Sequence, residues 1–555
     1  MSPANHIDRH GRDARLTSTC PRLWRVSTSI SERTRSAPAH QAPPAPVNPP
    51  APRRYRWSPR DTWTTLIIAG LAFFTRFIGL TGPEVQGTPV FDEKHYVPQG
   101  WDMVRSWFNP VLGGIEANPG YGLVVHPPLG KQLLALGELL FGYTPLGWRV
   151  MVALFGVGTV LLTMALARRV SHSWQIGVYA GLLAVLDGVL LVSAKFGMLD
   201  MFQVFFVVAA AWALARDHQQ MRERLHDAWA TGRLGASAFG PRFGFRWWRL
   251  AAGVFLGAAL SVKWSGLYYI AFFGLMSVLM DLALRKRYGV RRYVVGTLVR
   301  DTLAALASLV LVPALLYIWS WRAWFASETS VYRHAATDGT LAADSPLQLL
   351  PDAWAGWFHY HFSVLAFHGE LTTSNGHSHP WDSKPWSWLV AARPILYYSS
   401  TDIECATGTC RSMIYLFGTP AIWWLTVPVL LWGLWCVLIR RDRRWVIPLV
   451  GFAAGFLPWL AAYDRQMYFF YATALVPFTI VLLALALGQL TGRGPRVRQP
   501  WLRSVARGDI RWGTLAVTAY LALVLAMFLY FSPLFYGYLI PDGVYHQMMW
   551  LPSWT

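Results

Sequence analysis

The sequence predicts an all-α polytopic membrane protein with about eleven transmembrane helices. Hydrophobic residues make up 54% of its 555 positions, whereas charged residues make up only 14%. Apolar stretches long enough to cross a bilayer recur along the chain. The basic residues cluster in short connections between these stretches. The formal net charge of +20 therefore indicates an orientation in the membrane rather than nucleic-acid binding.

The first 62 residues are predicted to form a disordered, basic cytoplasmic tail, because their Arg, Pro, Ser and Ala cannot build a packed core. The segment Thr64–Leu80 follows as an uncleaved membrane anchor. Ten further spans are predicted at 146–167, 174–193, 197–215, 248–262, 264–284, 299–320, 416–439, 445–462, 467–490 and 511–533. The pair 248–262 and 264–284 predicts either a tight helical hairpin or one broken span.

The basic residues also predict the orientation, with the N-terminus inside and the C-terminus outside. In this orientation the cytoplasmic connections carry clusters of arginine and lysine. The short outer connections carry single basic residues, namely Lys195, Lys263 and Arg465. Two long loops, about 81–145 and 321–415, then face the outside.

The stretch Phe91–Tyr96 is the main candidate for chemistry, because it places Asp92 and Glu93 near the membrane surface after the first span. A carboxylate can take the proton from a hydroxyl group that attacks a sugar carbon. A phosphate leaving group needs no proton, so one base is enough for an inverting transfer, whereas glycosidases usually need two carboxyl groups. A solvated acidic turn is the alternative interpretation.

A phosphate leaving group also needs positive charge or hydrogen-bond donors. Arg149 lies at the start of the second span, and an arginine can bind phosphate through two hydrogen bonds. His126, Lys131 and Lys263 lie near other predicted outer helix ends and are further candidates. Arg149 could equally extend to lipid headgroups, and His126 and Lys131 could face water. Asp200 starts a span and is predicted to cap its helix.

The second outer loop contains His377, His379, Trp381 and Trp386, which predict a polar and aromatic surface for a sugar or a peptide. Aromatic residues that merely lie at the membrane interface are the alternative. No His-Glu-x-x-His motif is present, so we expect no metal site. Cys405 and Cys410 share this loop, and their spacing is compatible with a disulfide or with two free thiols.

Five motifs, in this order, resemble the protein O-mannosyltransferase family. They are Phe91-Asp92-Glu93-Lys94-His95-Tyr96, His126-Pro127-Pro128-Leu129-Gly130-Lys131, Gly197-Met198-Leu199-Asp200, Lys263-Trp264-Ser265-Gly266-Leu267, and Asn375-Gly376-His377-Ser378-His379-Pro380-Trp381 with Ser383-Lys384-Pro385-Trp386-Ser387-Trp388. The resemblance covers about 64–540. It implies a GT-C type glycosyltransferase fold, and inverting transfer of mannose from a polyprenyl phosphate to Ser or Thr of secreted or membrane proteins. It also implies that Asp92 is the catalytic acid/base residue, that Glu93 supports the site, and that Arg149 lies near the lipid phosphate.

Fungal and animal members of that family carry a soluble β-trefoil insert, for which the loop 321–415 is too short. The chain therefore resembles the bacterial type, and its tail suggests an actinobacterium, so the expected donor is a polyprenyl rather than a dolichyl phosphate mannose. The resemblance implies a multi-pass protein of the cell membrane with its active site on the extracytoplasmic side. Acceptor polypeptides could arrive from the export machinery. We expect contact with membrane lipids, no cofactor and no nucleic acid.

Two other functions remain open at this stage. A related polyprenyl-phosphate-sugar transferase would act on a glycolipid instead of a protein. A transporter would place ionisable residues along several spans, whereas the charges here lie at outer ends and in loops. The predicted regions are the tail 1–62, the catalytic membrane region 63–320, the outer loop 321–415 and a C-terminal four-helix membrane region 416–555.

Overall fold

The computed structural model describes residues 49, 51–52, 54–83, 87–105, 125–406, 408–497 and 511–555. The chain divides into two units, Met1–Val47 and Asn48–Thr555. All of the structure below belongs to the second unit. Most of the predicted disordered tail lies outside the described ranges, but the first helix begins at Pro59, so the last four residues of the predicted tail are helical.

Sixteen of the described helices position the site and are numbered here in chain order. They are α1 Pro59–Phe77, α2 Glu93–Arg105, α3 Leu129–Phe141, α4 Pro145–Ser171, α5 Trp174–Val185, α6 Gly188–Val192, α7 Asp200–Ala230, α8 Trp247–Val262, α9 Gly266–Arg287, α10 Tyr293–Ser320, α11 Asp352–Glu370, α12 Pro420–Leu438, α13 Arg443–Ala461, α14 Phe469–Leu490, α15 Trp512–Tyr536 and α16 Asp542–Met548. Every predicted span coincides with one of these helices or, for 174–193, with the pair α5 and α6. Seven helices within the described residues are long and apolar enough to cross a membrane. The exact number of spans stays a prediction.

The helices differ in how deeply they are buried. In α14, 89% of the most apolar window is buried inside the protein, compared with 22% in both α10 and α15. The long helix α7 packs against α4, α8 and α9. The centre of the bundle is therefore built around α14 and α7, whereas α10 and α15 expose apolar faces that suit contact with lipid.

The region 248–284 forms two helices separated by a short break. Helix α8 ends at Val262 and α9 begins at Gly266. A Cβ atom on Gly266 would lie 2.5 Å from the backbone nitrogen of Leu260, so a larger residue cannot occupy this position without a shift. Gln203 of α7 fixes the break by donating a hydrogen bond of 3.0 Å to the carbonyl oxygen of Lys263. The break thus holds Lys263 at a defined place beside α7.

The second long loop adds a small antiparallel sheet to the helical fold, in the order β1 (Ile395–Cys405), β2 (Gly408–Leu416) and β3 (Leu539–Pro541). The sequence interpretation did not include this sheet. Cys405 and Cys410 lie at the end of the β1–β2 hairpin and are joined there by a disulfide, with Cα atoms 6.1 Å apart.

Candidate active site

Asp92 and Glu93 lie where a turn leads into α2, and we call this stretch the acidic turn. Phe91 precedes it with a φ angle of 53°, a left-handed conformation that is unfavourable for a bulky residue. Its ring stacks on Tyr397 of β1 with a centroid distance of 4.2 Å, and it meets the ring of Phe470 edge-on. The sheet of the second loop therefore helps to hold the acidic turn in place.

Glu93 is fully buried and fully paired. Its carboxylate accepts hydrogen bonds from Arg149 Nε at 2.7 Å and Nη2 at 2.8 Å, and from the backbone nitrogens of Val90 at 3.1 Å and Gly197 at 2.7 Å. No position on this carboxylate is left for a substrate proton. Glu93 is thus a positioning residue that ties the acidic turn to α4 and to the start of α7.

The ion pair with Glu93 makes Arg149 part of the contacts that hold the acidic turn. Its side chain is fully buried, and it also donates to the carbonyl oxygens of Leu80 and Pro83. Four of the five guanidinium N–H groups of Arg149 are thus bonded to protein groups, so Arg149 holds the turn that carries Asp92 and Glu93. The contact of Arg149 with the donor phosphate stays a prediction, and the sequence did not show that Arg149 pairs with Glu93.

Asp92, in contrast, is half-buried, and its carboxylate has no hydrogen-bond or ion-pair partner among the described residues. Burial raises the pKa of Asp92 to about 6, and Asp200 acts in the same direction, while Lys263 and Lys94 oppose the shift. The carboxylate is therefore ionised at neutral pH and is a stronger base than an ordinary aspartate.

Two residues that act on the Asp92 charge, Lys263 and Asp200, line a cavity of about 580 Å³. The walls come from α7, the α8–α9 break, α10, α11, α13 and the segment that follows α13. Most of the lining is apolar or aromatic, whereas the ionisable lining residues besides tyrosine are His126, Asp200, Lys263, His361, His368 and Arg465. An apolar chamber with a few charged groups suits a lipid that carries a polar head.

Lys263 and Arg465 supply the positive charge of this cavity. Lys263 Nζ pairs with Asp200 at 2.8 Å, so Asp200 holds this lysine as well as starting α7. Arg465 donates to His368 Nδ1 at 3.0 Å, and its buried Nε has no hydrogen-bond partner within the described part of the chain. Burial, Arg465 and Lys263 together lower the pKa of His368 to about 4, so His368 is neutral and can accept this bond.

His126 lines the cavity, whereas Lys131 is not among the lining residues. His126 has a left-handed backbone with a φ of 71°, and burial holds the pKa of its ring well below the usual value. Lys131 is fully buried and donates to the carbonyl oxygens of Val125 at 3.0 Å and His126 at 3.2 Å. Lys131 thereby holds the unusual backbone at His126, and its contact with the donor phosphate stays a prediction.

The residues predicted to contact an acceptor lie on the segment after α11. His377 and His379 are exposed, Trp386 is 55% exposed, and Trp381 is half-buried. The His379 ring packs edge-on against Tyr468 at 5.3 Å, whereas Trp381 lies under the guanidinium of Arg393. A polar and aromatic surface is present, but Trp381 is partly occupied by its own loop.

This segment pairs with the stretch that carries Arg465. The backbone nitrogen of Thr373 donates to the carbonyl oxygen of Asp464 at 2.9 Å. The backbone nitrogen of Gln466 donates to the carbonyl oxygen of Leu371, also at 2.9 Å. Lys384 Nζ adds a hydrogen bond of 3.0 Å to the carbonyl oxygen of Arg465. We call these two paired stretches, 371–384 and 464–467, the paired strap. The strap joins the exposed histidine surface to the cavity.

Sequence reasoning missed Arg465 and His368 as site residues. In the sequence, Arg465 was interpreted only as a single basic residue in an outer connection. Its position as an isolated basic residue between two apolar spans was the sequence feature that could have marked it as a site residue. Where the structure is described, no group of three or more His, Cys, Asp or Glu side chains is arranged to hold a metal ion. That the reaction needs no metal stays a prediction.

Comparisons with known proteins agree with one another. Residues 117–326 match the family model of dolichyl-phosphate-mannose-protein mannosyltransferase, and residues 353–554 match that of the C-terminal four TMM region of protein-O-mannosyltransferase. The polyprenol-phosphate-mannose–protein mannosyltransferase of Corynebacterium glutamicum is 69% identical over 507 residues, which cover 91% of this chain and 96% of that protein. The protein of the same name from Mycobacterium tuberculosis is 43% identical over 520 residues, covering 92% of this chain and 95% of its own length.

The solved structure of the protein O-mannosyltransferase Pmt1-Pmt2 complex of S. cerevisiae, bound to the sugar donor, is similar in fold. The match has a TM-score of 0.64 at 16% sequence identity and covers 89% of this chain and 93% of that chain. ArnT from Cupriavidus metallidurans, bound to undecaprenyl phosphate, matches with a TM-score of 0.50 at 16% identity, over 86% of this chain and 77% of that chain. At these identities the likeness concerns the fold.

Proposed function

The chain belongs to the protein mannosyltransferase family, and from this premise we propose that it transfers mannose from a polyprenyl phosphate to serine or threonine hydroxyls, with Asp92 as general base. Membership confirms the predicted family, the GT-C membrane fold and the mannosyltransferase activity. The observation that carries the residue assignment is the Asp92 carboxylate. It has no partner among the described residues, its pKa is raised to about 6, and its charge interacts with those of two residues lining an apolar cavity.

In the proposed reaction, the acceptor hydroxyl oxygen attacks C1 of mannose while Asp92 accepts the hydroxyl proton. A new bond forms between that oxygen and C1. The bond between C1 and the phosphate oxygen breaks, and its electron pair leaves with the phosphate. Attack from the face opposite the phosphate inverts the configuration at C1. A base whose pKa lies near the working pH combines a large ionised fraction with a strong affinity for the proton.

The donor phosphate is assigned to Arg465 and Lys263 rather than to Arg149. Arg465 keeps a buried Nε without a partner among the described residues, and both basic residues line the cavity. His126 and His368 are neutral and add hydrogen-bonding capacity. The aromatic and aliphatic walls, which include Trp264 and Trp459, would contact the first isoprene units of the lipid.

The acceptor is proposed to approach over the exposed surface at His377 and His379. An extended polypeptide can bring a side-chain hydroxyl to a half-buried carboxylate more easily than a folded domain can, which favours acceptors that have not yet folded, such as chains leaving the export machinery. We propose that the N-terminus lies inside, so that the site faces the extracytoplasmic side of the cell membrane. The proposal keeps the division of the chain into four regions at residues 62, 320 and 415. It also keeps a reaction that needs no metal cofactor.

Membranes containing the full chain are expected to transfer labelled mannose from polyprenyl phosphate mannose to a Ser/Thr-rich peptide. A matched peptide with alanine at every Ser and Thr should remain unlabelled, because it lacks the attacking hydroxyl. Scintillation counting of the recovered peptides measures the transfer. Labelling of a glycolipid acceptor without labelling of the peptide would replace this proposal with that of a glycolipid transferase.

Replacement of Arg465 by glutamine is expected to raise the KM for the donor about ten- to a hundredfold, since a hydrogen bond to a charged group contributes about 1.5–3 kcal/mol. The KM for the peptide should change little. Arg105→Gln, which removes the same charge from an exposed side chain of α2, is the matched control. Steady-state kinetics with each substrate varied in turn would measure both constants. An unchanged donor KM in Arg465→Gln would remove Arg465 from the phosphate site.

A further inference from the structure

A second cavity, of about 410 Å³, lies at the far end of the helices that carry the active site. Asp200 and Asp217 are 17 residues apart on α7, which corresponds to about 26 Å at the rise of an α-helix. This distance is close to the roughly 30 Å thickness of the hydrocarbon core. The second cavity therefore lies near the opposite membrane face. Its ionisable lining residues are Arg242, Arg246, Arg249, Arg285, Arg300 and Asp301, and we call it the arginine cavity.

Three arginines of this cavity are neutralised by three aspartates. Arg246 bonds to Asp217 and Asp281, Arg249 bonds to Asp281, and Arg285 forms a two-bond pair with Asp301 at 2.5 and 3.1 Å. Three positive and three negative charges cancel. Arg242 and Arg300 remain, and neither is paired with a carboxylate among the described residues. Arg300 instead donates to Gly240 and Ser237. The cavity thus has two positive charges in excess.

One donor of a residue that lines the cavity is left without a partner among the described residues. Arg249 is fully buried, and its Nε lies 3.8 Å from Asp217 without a hydrogen-bond partner among the described residues. A buried donor without a partner is costly, so a ligand oxygen that accepted its hydrogen would be stabilised there.

The remaining wall of the arginine cavity is apolar and faces outward. Val299 and Leu303 of α10 line it and are 59% and 67% exposed. The turn Leu298–Thr302, which contains Val299 and directly precedes Leu303, has π-helical hydrogen bonding, a local distortion that is frequent at functional sites. An acyl chain could lie along this face of α10 while its headgroup enters the cavity.

We propose that the arginine cavity binds the phosphate headgroup of an anionic phospholipid from the leaflet opposite the active site. The excess positive charge and the unused donor match a phosphodiester, and the exposed apolar face of α10 matches its acyl chains. A free phosphate ion would satisfy the arginines but would leave that face without a role.

The test uses the purified full chain in detergent, titrated with phosphatidylglycerol, phosphatidylcholine or inorganic phosphate, and native mass spectrometry counts the bound molecules. We expect Arg242→Gln/Arg300→Gln to retain phosphatidylglycerol at least about tenfold less well than wild type, as each charge-assisted contact is lost. Arg291→Gln/Arg292→Gln removes the same charge from exposed positions that do not line the cavity, and it should bind like wild type.

Three results would overturn the proposal. Equal retention of phosphatidylglycerol by the two double variants would show that general charge, not the cavity, attracts the lipid. Equal retention of phosphatidylcholine and phosphatidylglycerol by wild type would remove the role of the excess charge. Inorganic phosphate that binds as tightly as phosphatidylglycerol and displaces it would assign the cavity to a free anion. Near-identical thermal unfolding of both double variants would show that the loss is not a folding defect.

Discussion

Replacement of Asp92 by asparagine is expected to lower mannose transfer by about 10²- to 10⁴-fold, the range that general base catalysis contributes. Asparagine has the size of aspartate but cannot accept the hydroxyl proton. Donor binding should be nearly unchanged, because Arg465 and Lys263 remain. Labelled transfer to peptide and a separate measurement of donor binding would distinguish these effects. Asp102→Asn, a carboxylate on the surface of α2, is the control and should keep most of its activity.

The pH profile gives this prediction a second readout. The base acts only in its ionised form, and the pKa of Asp92 is about 6. The wild-type rate should therefore rise with pH, reach half of its plateau near pH 6, and stay constant above it until another group titrates. The residual rate of Asp92→Asn should lack this step. If Asp92→Asn transferred mannose as fast as wild type, Asp92 would not be the base, although the family assignment would stand.

The second large effect is expected at the buried pair of Glu93 and Arg149. Glu93→Gln leaves the Arg149 charge buried without its partner, which should lower the free energy of unfolding by about 3–5 kcal/mol. The double variant Glu93→Gln/Arg149→Met removes both charges and should recover part of this loss. Its activity should stay low, because the acidic turn is no longer held. Unfolding in detergent, followed with a thiol-reactive dye on buried Cys436, measures the stability.

A surface pair provides the comparison for this experiment. The Arg105 side chain is 66% exposed and that of Asp102 is 39% exposed, so water screens this pair and Arg105→Gln should change stability by less than about 1 kcal/mol. If Arg149 instead bound the donor phosphate, Arg149→Met would raise the donor KM while leaving stability near that of wild type. That result would contradict the positioning role given to Arg149.

Local sequence was enough to predict the apolar helices and the acidic turn, because hydropathy and short motifs act over a few residues. It was not enough for the partners of those residues. Arg149 meets Glu93 from 56 positions away, and Arg465 meets His368 from 97 positions away. Neither pairing leaves a trace in the neighbouring sequence, so Arg149 looked available and Arg465 looked like a loop charge.

Asp200 shows the same limit in another way. Its position at the start of α7 predicted a helix cap, but the N-cap residue is Leu199 and no side chain caps this helix end with a hydrogen bond. The sequence could not show that Lys263, 63 residues later, would lie 2.8 Å from it. The sheet was more accessible, since Ile395–Cys405 contains the β-branched and aromatic residues typical of a strand. The strand pattern is short and lies between long apolar helices, whose hydropathy dominates this part of the sequence.

If the donor and the acceptor bind at the sites proposed for them, we expect the paired strap to make the two binding events interdependent. One of its stretches carries the histidine surface assigned to the acceptor, and the other carries Arg465, assigned to the donor. Order imposed on one stretch by its substrate is passed to the other through backbone hydrogen bonds. The affinities are then thermodynamically linked, so the factor by which donor tightens acceptor binding must equal the factor by which acceptor tightens donor binding. Such reciprocity would favour a ternary complex and would limit wasteful hydrolysis of the lipid-linked sugar when no polypeptide is present.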